Sequence, residues 1–123
     1  MRDHRKLRAF QEADALVIAV YGATRWLPQN EAFGLTSQLR RAAVSVVANI
    51  VEGSARPSEK DYRHFLSVAF ASLRELGYLL DLSVRLGLLP KDQAEPVLTR
   101  QNETALLLGA LLNRLSKSRP VTP

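Results

Sequence analysis

Hydrophobic residues recur along most of this chain at spacings of three and four, which is the period of one face of an α-helix. The repeat is interrupted where proline and glycine cluster, at residues 28–34, 53–57 and 87–90 and again from residue 120. Because these residues form turns and end helices, the pattern predicts four helical segments joined by short connections. No alternating pattern typical of a strand competes with it.

The same spacing predicts which residues face the core, and capping residues predict where helices end. Ser58 is expected to cap the third helix, which runs to about Leu86, and Gly53 to end the second in a left-handed conformation. The fourth helix is expected to begin near Asp92 or at residues 95–96. The predicted core positions are Phe10, Ala13, Val17, Val20 or Tyr21, Thr24 and Leu27; Leu35, Leu39, Ala42, Ala43, Val46 and Ile50; and Val97, Gln101, Thr104, Leu108, Leu111 or Leu112, and Leu115.

Four segments of roughly 18 to 30 residues with short connections predict an all-α protein, an antiparallel up-down-up-down four-helix bundle. One domain over residues 1–123 is expected, with a basic N-terminal arm at residues 1–8 and a flexible tail at about 117–123. The third and fourth segments carry more apolar residues than one core stripe requires. This width favours self-association, and a small bundle with broad stripes is the alternative.

Composition limits the chemistry of the chain. It has no cysteine and two histidines, which excludes disulfides, thiol nucleophiles and cysteine-based metal sites and leaves little for a histidine-based one. Glu12 and Asp14 interrupt the apolar stretch after the basic start, so no signal peptide is expected. No apolar run approaches the roughly 20 residues of a membrane-spanning helix. We therefore expect a cytoplasmic protein with no cofactor, no metal and no membrane contact.

Positive charge is concentrated at one end of the predicted bundle, where both termini and the connection between the second and third helices meet. Residues 1–8, 52–63 and 114–123 hold ten basic residues against four acidic ones, whereas the remaining chain holds seven basic and eight acidic residues. Such a cluster binds phosphate backbones through counterion release, and the alternative is a solubilising, partly disordered pair of termini. We call these ten cations the basic end: Arg2, Arg5, Lys6, Arg8, Arg56, Lys60, Arg63, Arg114, Lys117 and Arg119.

Polar residues recur at helical spacing along the second segment. Ser45 and Asn49 are poor helix formers among alanines and valines, so they need another reason to be there. One reason is a hydrogen-bonded structural or assembly contact, in which arginines of this segment and Glu52 pair with Arg74 or Glu75 or with another subunit. Another is a ligand or catalytic site. We call the eight residues involved the polar seam: Gln38, Arg40, Arg41, Ser45, Asn49, Glu52, Arg74 and Glu75.

Catalytic motifs are weak in this sequence. Glu52 and Glu75 are the candidates for acid–base work, but nothing in their spacing brings them together or supplies a nucleophile. The chain has no Glu-x-x-His pair for a di-iron site, no glycine-rich phosphate loop, no His-Glu-x-x-His and no nucleophile elbow. His64 is interpreted as a surface or interface residue. We expect no enzymatic activity.

Residues 38–53, which read QLRRAAVSVVANIVEG, resemble the signature of bacterial four-helix bundle proteins related to those encoded in 23S ribosomal RNA intervening sequences. Residues 7–13, 65–69 and 72–76 are similar to further motifs of that family, so the resemblance covers nearly the whole chain. It implies an up-down four-helix bundle that forms a ring-like homo-oligomer, most often a pentamer. It implies no settled activity.

A related branch of this family serves as the accessory protein of diversity-generating retroelements, where a basic pentamer binds nucleic acid and the reverse transcriptase. From the resemblance and the charge together, we expect a non-enzymatic homo-oligomeric bundle that binds RNA or other nucleic acid through the basic end without marked sequence specificity. The alternative is an oligomeric scaffold or accessory protein that binds a protein partner, for example a reverse transcriptase or a ribosome-associated factor.

Overall fold

Each of the four predicted segments forms an α-helix in the computed structural model, which describes residues 2–117. The helices are α1 (Arg8–Thr24), α2 (Leu35–Ser54), α3 (Glu59–Arg85) and α4 (Lys91–Lys117), with short 3-10 helices at His4–Lys6 and Gln29–Glu31. The prediction of an all-α four-helix bundle is confirmed, and residues 2–117 contain no strand. The expected flexible tail lies, apart from Lys117, outside the described residues.

Each helix packs against the helix before and after it in the chain, and α4 closes the bundle against α1. Contacts between α2 and α3 show their relative direction: Ser45 is hydrogen-bonded to Ser72, whereas Gly53, further along α2, lies against Phe65, earlier in α3. These two helices therefore run antiparallel. The connection between them, residues 55–58, lies at the same end of the bundle as the chain's N-terminal residues, because Arg2 bonds to it.

The core occupies the inner stripes of all four helices, and α2 matches its prediction at all six positions. In the first segment the prediction is confirmed at Ala13, Val20, Thr24 and Leu27, and the rest of the buried stripe of α1 is rotated from the predicted one. Ala9, Leu16 and Ala23 are buried, whereas Phe10 and Val17 are only partly buried and Tyr21 is 40% exposed. Alanines let α1 approach its neighbours closely, so the smaller side chains turn inward and the larger ones lie at the edge of the interface. In α4, Gln101, Leu112 and Leu115 are partly buried.

The broad apolar surface of α3 is used inside the bundle. α3 packs against both α2 and α4, and its leucines at positions 66, 73, 76, 79 and 80 are all buried. The bundle core therefore accounts for much of the apolar width of α3, whereas Val68 and Tyr78 of α3 and Leu106 of α4 remain exposed. Large exposed apolar side chains lie mostly elsewhere, on α1, on α2 and on the connection between them: Ile18, Tyr21, Trp26, Phe33 and Val44.

The helix ends follow the prediction at α3 but not at α2. Ser58 precedes α3, and its Oγ accepts a hydrogen bond of 3.2 Å from the Asp61 backbone N–H, as a capping serine should. Gly53 does not end α2 in a left-handed conformation, because the helix continues to Ser54 and only Gly87 has a positive φ, 72°, among the described residues. Gly53 instead allows close contact with α3, since a Cβ built there would lie 2.9 Å from the Phe65 Cβ.

Candidate nucleic-acid interface

Three segments of the chain bring arginines together around one buried aromatic ring. The Arg2 Nη1 donates a 2.7 Å hydrogen bond to the Arg56 carbonyl oxygen, and the Arg2 guanidinium lies 4.1 Å from the centre of the Tyr62 ring. Burial raises the pKa of the Tyr62 hydroxyl, and the positive charges of Arg2 and Arg114 oppose that shift. The N-terminal segment, the α2–α3 connection and the end of α4 thus meet at Tyr62, as the charge pattern predicted.

Two cations of the basic end are neutralised by neighbouring carboxylates. The Arg5 Nε lies 3.0 Å from an Asp3 carboxylate oxygen, and their side-chain hydrogen bond holds the pKa of Asp3 below its usual value. Arg56 pairs with Glu52 one helical turn earlier, and its guanidinium lies 5.0 Å from the centre of the Phe65 ring. These two arginines are less available to a phosphate than the sequence alone suggested.

A first open groove lies between α3 and α4 at the basic end and has a volume of about 510 Å³. Lys60 and Arg63 line it from α3 and make no ion pair within residues 2–117. The Arg63 Nε is buried and has no hydrogen-bond partner in that range. The other lining residues are Ser67, Leu112, Asn113 and Ser116. The groove therefore offers two cations beside hydroxyl and amide groups that hydrogen-bond to phosphate oxygens.

A second groove, of about 360 Å³, lies between the start of α1 and the end of α4. Lys6, Arg8 and Arg114 line it, and none of the three has an ion-pair partner in the described part of the chain. The remaining lining residues are apolar: Leu7, Ala9, Leu107, Ala110 and Leu111. The aliphatic stems of the cations thus cross an apolar floor while their charged groups remain accessible to solvent.

Seven cations of the basic end have no carboxylate partner within residues 2–117: Arg2, Lys6, Arg8, Lys60, Arg63, Arg114 and Lys117. Arg119 lies outside the described residues. Tyr62, Ser67, Asn113 and Ser116 were not predicted from the sequence. Ser67 could have been predicted, because it follows Lys60 and Arg63 at helical spacing in the sequence.

The centre of the polar seam is a small hydrogen-bonded cluster between α2 and α3. The Ser45 Oγ lies 2.8 Å from the Ser72 Oγ, and the Asn49 Nδ2 donates to the Ser45 carbonyl oxygen at 2.8 Å and to its Oγ at 3.1 Å. These contacts account for the two poor helix formers in α2, since both side chains are partly buried and satisfied. Ser72 was missing from the predicted seam.

The ion pairs predicted between the seam of α2 and α3 within one chain do not form, and pairing with another subunit stays a prediction. With Ser45 opposite Ser72 in antiparallel helices, Glu52 lies about two turns toward the connection, away from Glu75, and it pairs with Arg56 instead. The register of α2 against α3 decides which charged side chains can pair, and hydrophobic spacing does not reveal that register. The other charged or amide members of the seam on these helices are exposed and have no ion pair within residues 2–117: Gln38, Arg41, Arg74 and Glu75.

Arg40 joins α2 to α1 and not to α3. Its Nε donates a 2.9 Å hydrogen bond to the Thr24 Oγ1, and its guanidinium lies 4.5 Å from the centre of the Tyr21 ring. Arg40 is therefore part of a different contact from Ser45 and Asn49, so the residues grouped as one seam serve two interfaces.

Removing the Asn49 amide tests whether the seam is structural. Asn49→Ala is expected to lower the free energy of unfolding by about 1 kcal/mol, because two partly buried hydrogen bonds are removed. Urea denaturation measures this change. Asn102→Ala is the control, since Asn102 is exposed on α4 and alanine there gains a few tenths of a kcal/mol in helix propensity. Equal changes in the two variants would contradict a structural role.

The described residues contain no arrangement typical of a catalytic or metal site. No group of three or more His, Asp or Glu side chains is placed to hold a metal ion within residues 2–117. The buried polar side chains in that range are hydroxyls that bond to the backbone carbonyl four residues earlier: Thr24, Ser54, Ser83 and Thr104. No helix in the same range is long and apolar enough to cross a membrane.

The fold and the charge distribution define a small helical bundle with a cationic end. The family model described as 23S rRNA-intervening sequence protein matches residues 5–110, and the chain belongs to that family. Neither this match nor the solved structure below indicates an enzymatic activity. None of the curated proteins compared with the chain is similar enough in sequence to count as a match.

A solved structure with the same fold comes from Bacteroides thetaiotaomicron and is described as a protein of unknown function from the S23 ribosomal protein family. The two chains superpose with a TM-score of 0.78 at 22% sequence identity, covering 85% of this chain and 95% of the other. At 22% sequence identity, this superposition shows that the two proteins share the arrangement of their helices.

Proposed function

We propose that this protein is a non-enzymatic homo-oligomeric bundle that binds RNA or another nucleic acid through its basic end. The observation that carries the proposal is the set of seven cations without carboxylate partners within residues 2–117, five of which line two open grooves at that end. Lysine and arginine in such positions displace the counterions of a phosphate backbone. Membership of the 23S rRNA-intervening sequence protein family is consistent with an RNA partner.

Recognition at the basic end is proposed to depend on the backbone and not on the base sequence. The Tyr and Phe rings there are covered: Tyr62 is 5% exposed and Phe65 is partly buried beside Arg56. The His64 ring is exposed, so it is the ring at this end on which a base could stack, and stacking of this kind is tolerant of base sequence. The grooves offer cations, hydroxyls and one amide, which are the usual donors to phosphate oxygens.

Self-association is proposed to use the outer surface of α2 and α3. Residues 42–51 of α2 contain no charged side chain, although Ala48 is exposed, and Val68 of α3, one helical turn before Ser72, is 36% exposed. A surface helix without charges over ten residues has the composition of an interface. Assembly of several copies, a pentamer by resemblance, would repeat the basic end and multiply its contacts with one nucleic acid.

Fluorescence anisotropy with labelled RNA, titrated at several salt concentrations, tests nucleic-acid binding. We expect binding at low salt that weakens steeply as salt rises, with a slope of log Kd against log salt that reports the number of phosphates contacted. Similar affinities for RNAs of unrelated sequence are expected. Absence of binding at low salt, with the oligomer intact by light scattering, would overturn the proposal.

A scaffold that binds a protein partner is the second candidate function. The observation that favours it is that five of the nine large exposed apolar side chains within residues 2–117 lie on α1, α2 and their connection, among them Trp26 and Phe33 at the end of the bundle away from the basic end. Surfaces of this kind are typical of protein contacts. Protein binding on that surface and nucleic-acid binding at the basic end use different residues, so substitutions in each surface separate the two functions.

A further inference from the structure

The connection between α1 and α2 presents aromatic side chains to solvent. Phe33 is 100% exposed and Trp26 is 58% exposed. The connection is nevertheless ordered by its own hydrogen bonds, because the Gly34 N–H donates to the Glu31 carbonyl oxygen and the Glu31 carboxylate accepts from the Leu35 N–H. Phe33 therefore contributes nothing to the core, yet the backbone that carries it is held in a defined place.

Phe33 stands beside an open groove of about 470 Å³ between the end of α1 and the start of α2. We call this surface the α1–α2 groove, and its lining residues are Tyr21, Ala32, Phe33, Thr36, Ser37, Arg40, Arg41 and Val44. Rings and aliphatic side chains provide most of its apolar surface, and two hydroxyl groups provide hydrogen bonds. This mixture suits a peptide with an apolar side chain better than a bare phosphate.

Two guanidinium groups give the α1–α2 groove its charge. Arg40 is fixed in place by its hydrogen bond to Thr24 and by the Tyr21 ring, which leaves its terminal nitrogens to a ligand. Arg41 is exposed and makes no ion pair within residues 2–117. No carboxylate among those residues lines the groove. The groove is therefore positively charged, and its charge complements an acidic ligand.

We propose that the α1–α2 groove binds an acidic peptide segment of a protein partner, with an aromatic or large aliphatic side chain of that segment packed against Phe33 and its carboxylates paired with Arg40 and Arg41. Aromatic residues and arginine carry most of the binding energy in protein interfaces, and here they occur together on a pre-organised surface. The inference does not depend on nucleic-acid binding at the basic end.

Two other occupants fit the α1–α2 groove less well. A second copy docking through the same patch in a two-fold dimer would bring Arg41 against Arg41, and this like-charge contact costs free energy. A ring of copies joins two different surfaces, and it is proposed above to use the outer surface of α2 and α3. An RNA strand needs a track of several cations, whereas two, Arg40 and Arg41, line this groove.

Selection of random peptides displayed on phage against the full-length protein tests the proposal. We expect the selected peptides to be rich in Asp and Glu around a Phe, Trp or Leu. A labelled selected peptide should bind Phe33→Ser and Arg41→Glu at least about tenfold more weakly than the original protein. Arg74→Glu is the matched control, because Arg74 is also exposed and without an ion pair in the described range but lies on α3.

Other outcomes would overturn the proposal. Failure to select peptides, selection of peptides without acidic residues, or equal binding to Phe33→Ser and the original protein would each show that the α1–α2 groove is not an acidic-peptide site. A changed oligomer mass in Phe33→Ser would assign the groove to a second copy. Loss of RNA binding in that variant would assign it to RNA. Because Phe33 is fully exposed, its replacement should leave the melting temperature unchanged, which circular dichroism checks.

Discussion

Reversing two unpaired cations at the basic end, in the variant Arg8→Glu/Lys60→Glu, is expected to weaken RNA binding at low salt by about 100-fold or more. Arg8 lines the groove between α1 and α4, Lys60 lines the groove between α3 and α4, and both side chains are exposed. Each reversal removes a cation that binds a phosphate and places a carboxylate against the backbone. The dependence of affinity on salt should also flatten, by about one unit of slope for each phosphate that is no longer bound. Fluorescence anisotropy over a range of salt measures both changes.

Arg25→Glu/Arg74→Glu is the charge-matched control for this prediction, because neither residue has an ion pair within residues 2–117. It changes the net charge by the same amount, but its residues lie on exposed positions away from the basic end. We expect at most a few-fold decrease of affinity in this control from the altered overall field. An equal decrease in both variants would mean that net charge alone drives binding, and unchanged binding in Arg8→Glu/Lys60→Glu would contradict the assignment of the interface.

The sequence alone does not distinguish the cations of the basic end that are paired with carboxylates from those that are unpaired. Arg5 looked as suitable as Arg8, because both belong to the basic start of the chain. The structure pairs Arg5 with Asp3, so its reversal would break an ion pair as well as remove a phosphate-binding cation. Lys60 and Arg8 avoid this ambiguity, because neither has an ion-pair partner within residues 2–117.

Sequence spacing predicts the helices well and their contacts less well. Spacing predicts the buried positions of α2 correctly because the large apolar residues of this helix, such as Leu39 and Ile50, are also the buried ones. In α1 the buried positions include three alanines, and alanine carries too little hydrophobicity to mark a face. The orientation of α1 therefore depends on how closely the helices pack, which is a property of the assembled core.

In the candidate site too, the sequence predicts which segments come together better than it predicts the contacts of individual side chains. The gathering of cations at one end follows from the antiparallel topology and the positions of the chain ends, so charge counting suffices to predict it. Which cations remain unpaired depends on distances of a few ångströms between side chains. Glu52 illustrates this, because it was predicted to pair across to α3 or with another subunit and, within residues 2–117, pairs with Arg56 in the connection that follows its own helix.

Gly53 sets the separation of α2 and α3 at the basic end, and Gly53→Ala is expected to lower the free energy of unfolding by about 1 kcal/mol. A Cβ there would lie 2.9 Å from the Phe65 Cβ and 3.3 Å from the Tyr62 carbonyl oxygen. Both atoms belong to or adjoin the α3 backbone and do not move aside as a flexible side-chain end does. Overpacking of this kind costs about 1–3 kcal/mol and exceeds the roughly 1 kcal/mol that alanine gains over glycine in a helix.

Gly22→Ala provides the matched control, because Gly22 is also helical but a Cβ there meets nothing within 4 Å. This variant should be more stable than the original protein by up to about 1 kcal/mol, so urea denaturation should separate the two alanine variants by roughly 2 kcal/mol. If both substitutions stabilised the protein equally, α2 and α3 would not pack at this distance. Since Phe65 and Tyr62 also hold Arg56 and Arg2, separating the helices at Gly53 should disturb the basic end and lower RNA affinity in Gly53→Ala but not in Gly22→Ala.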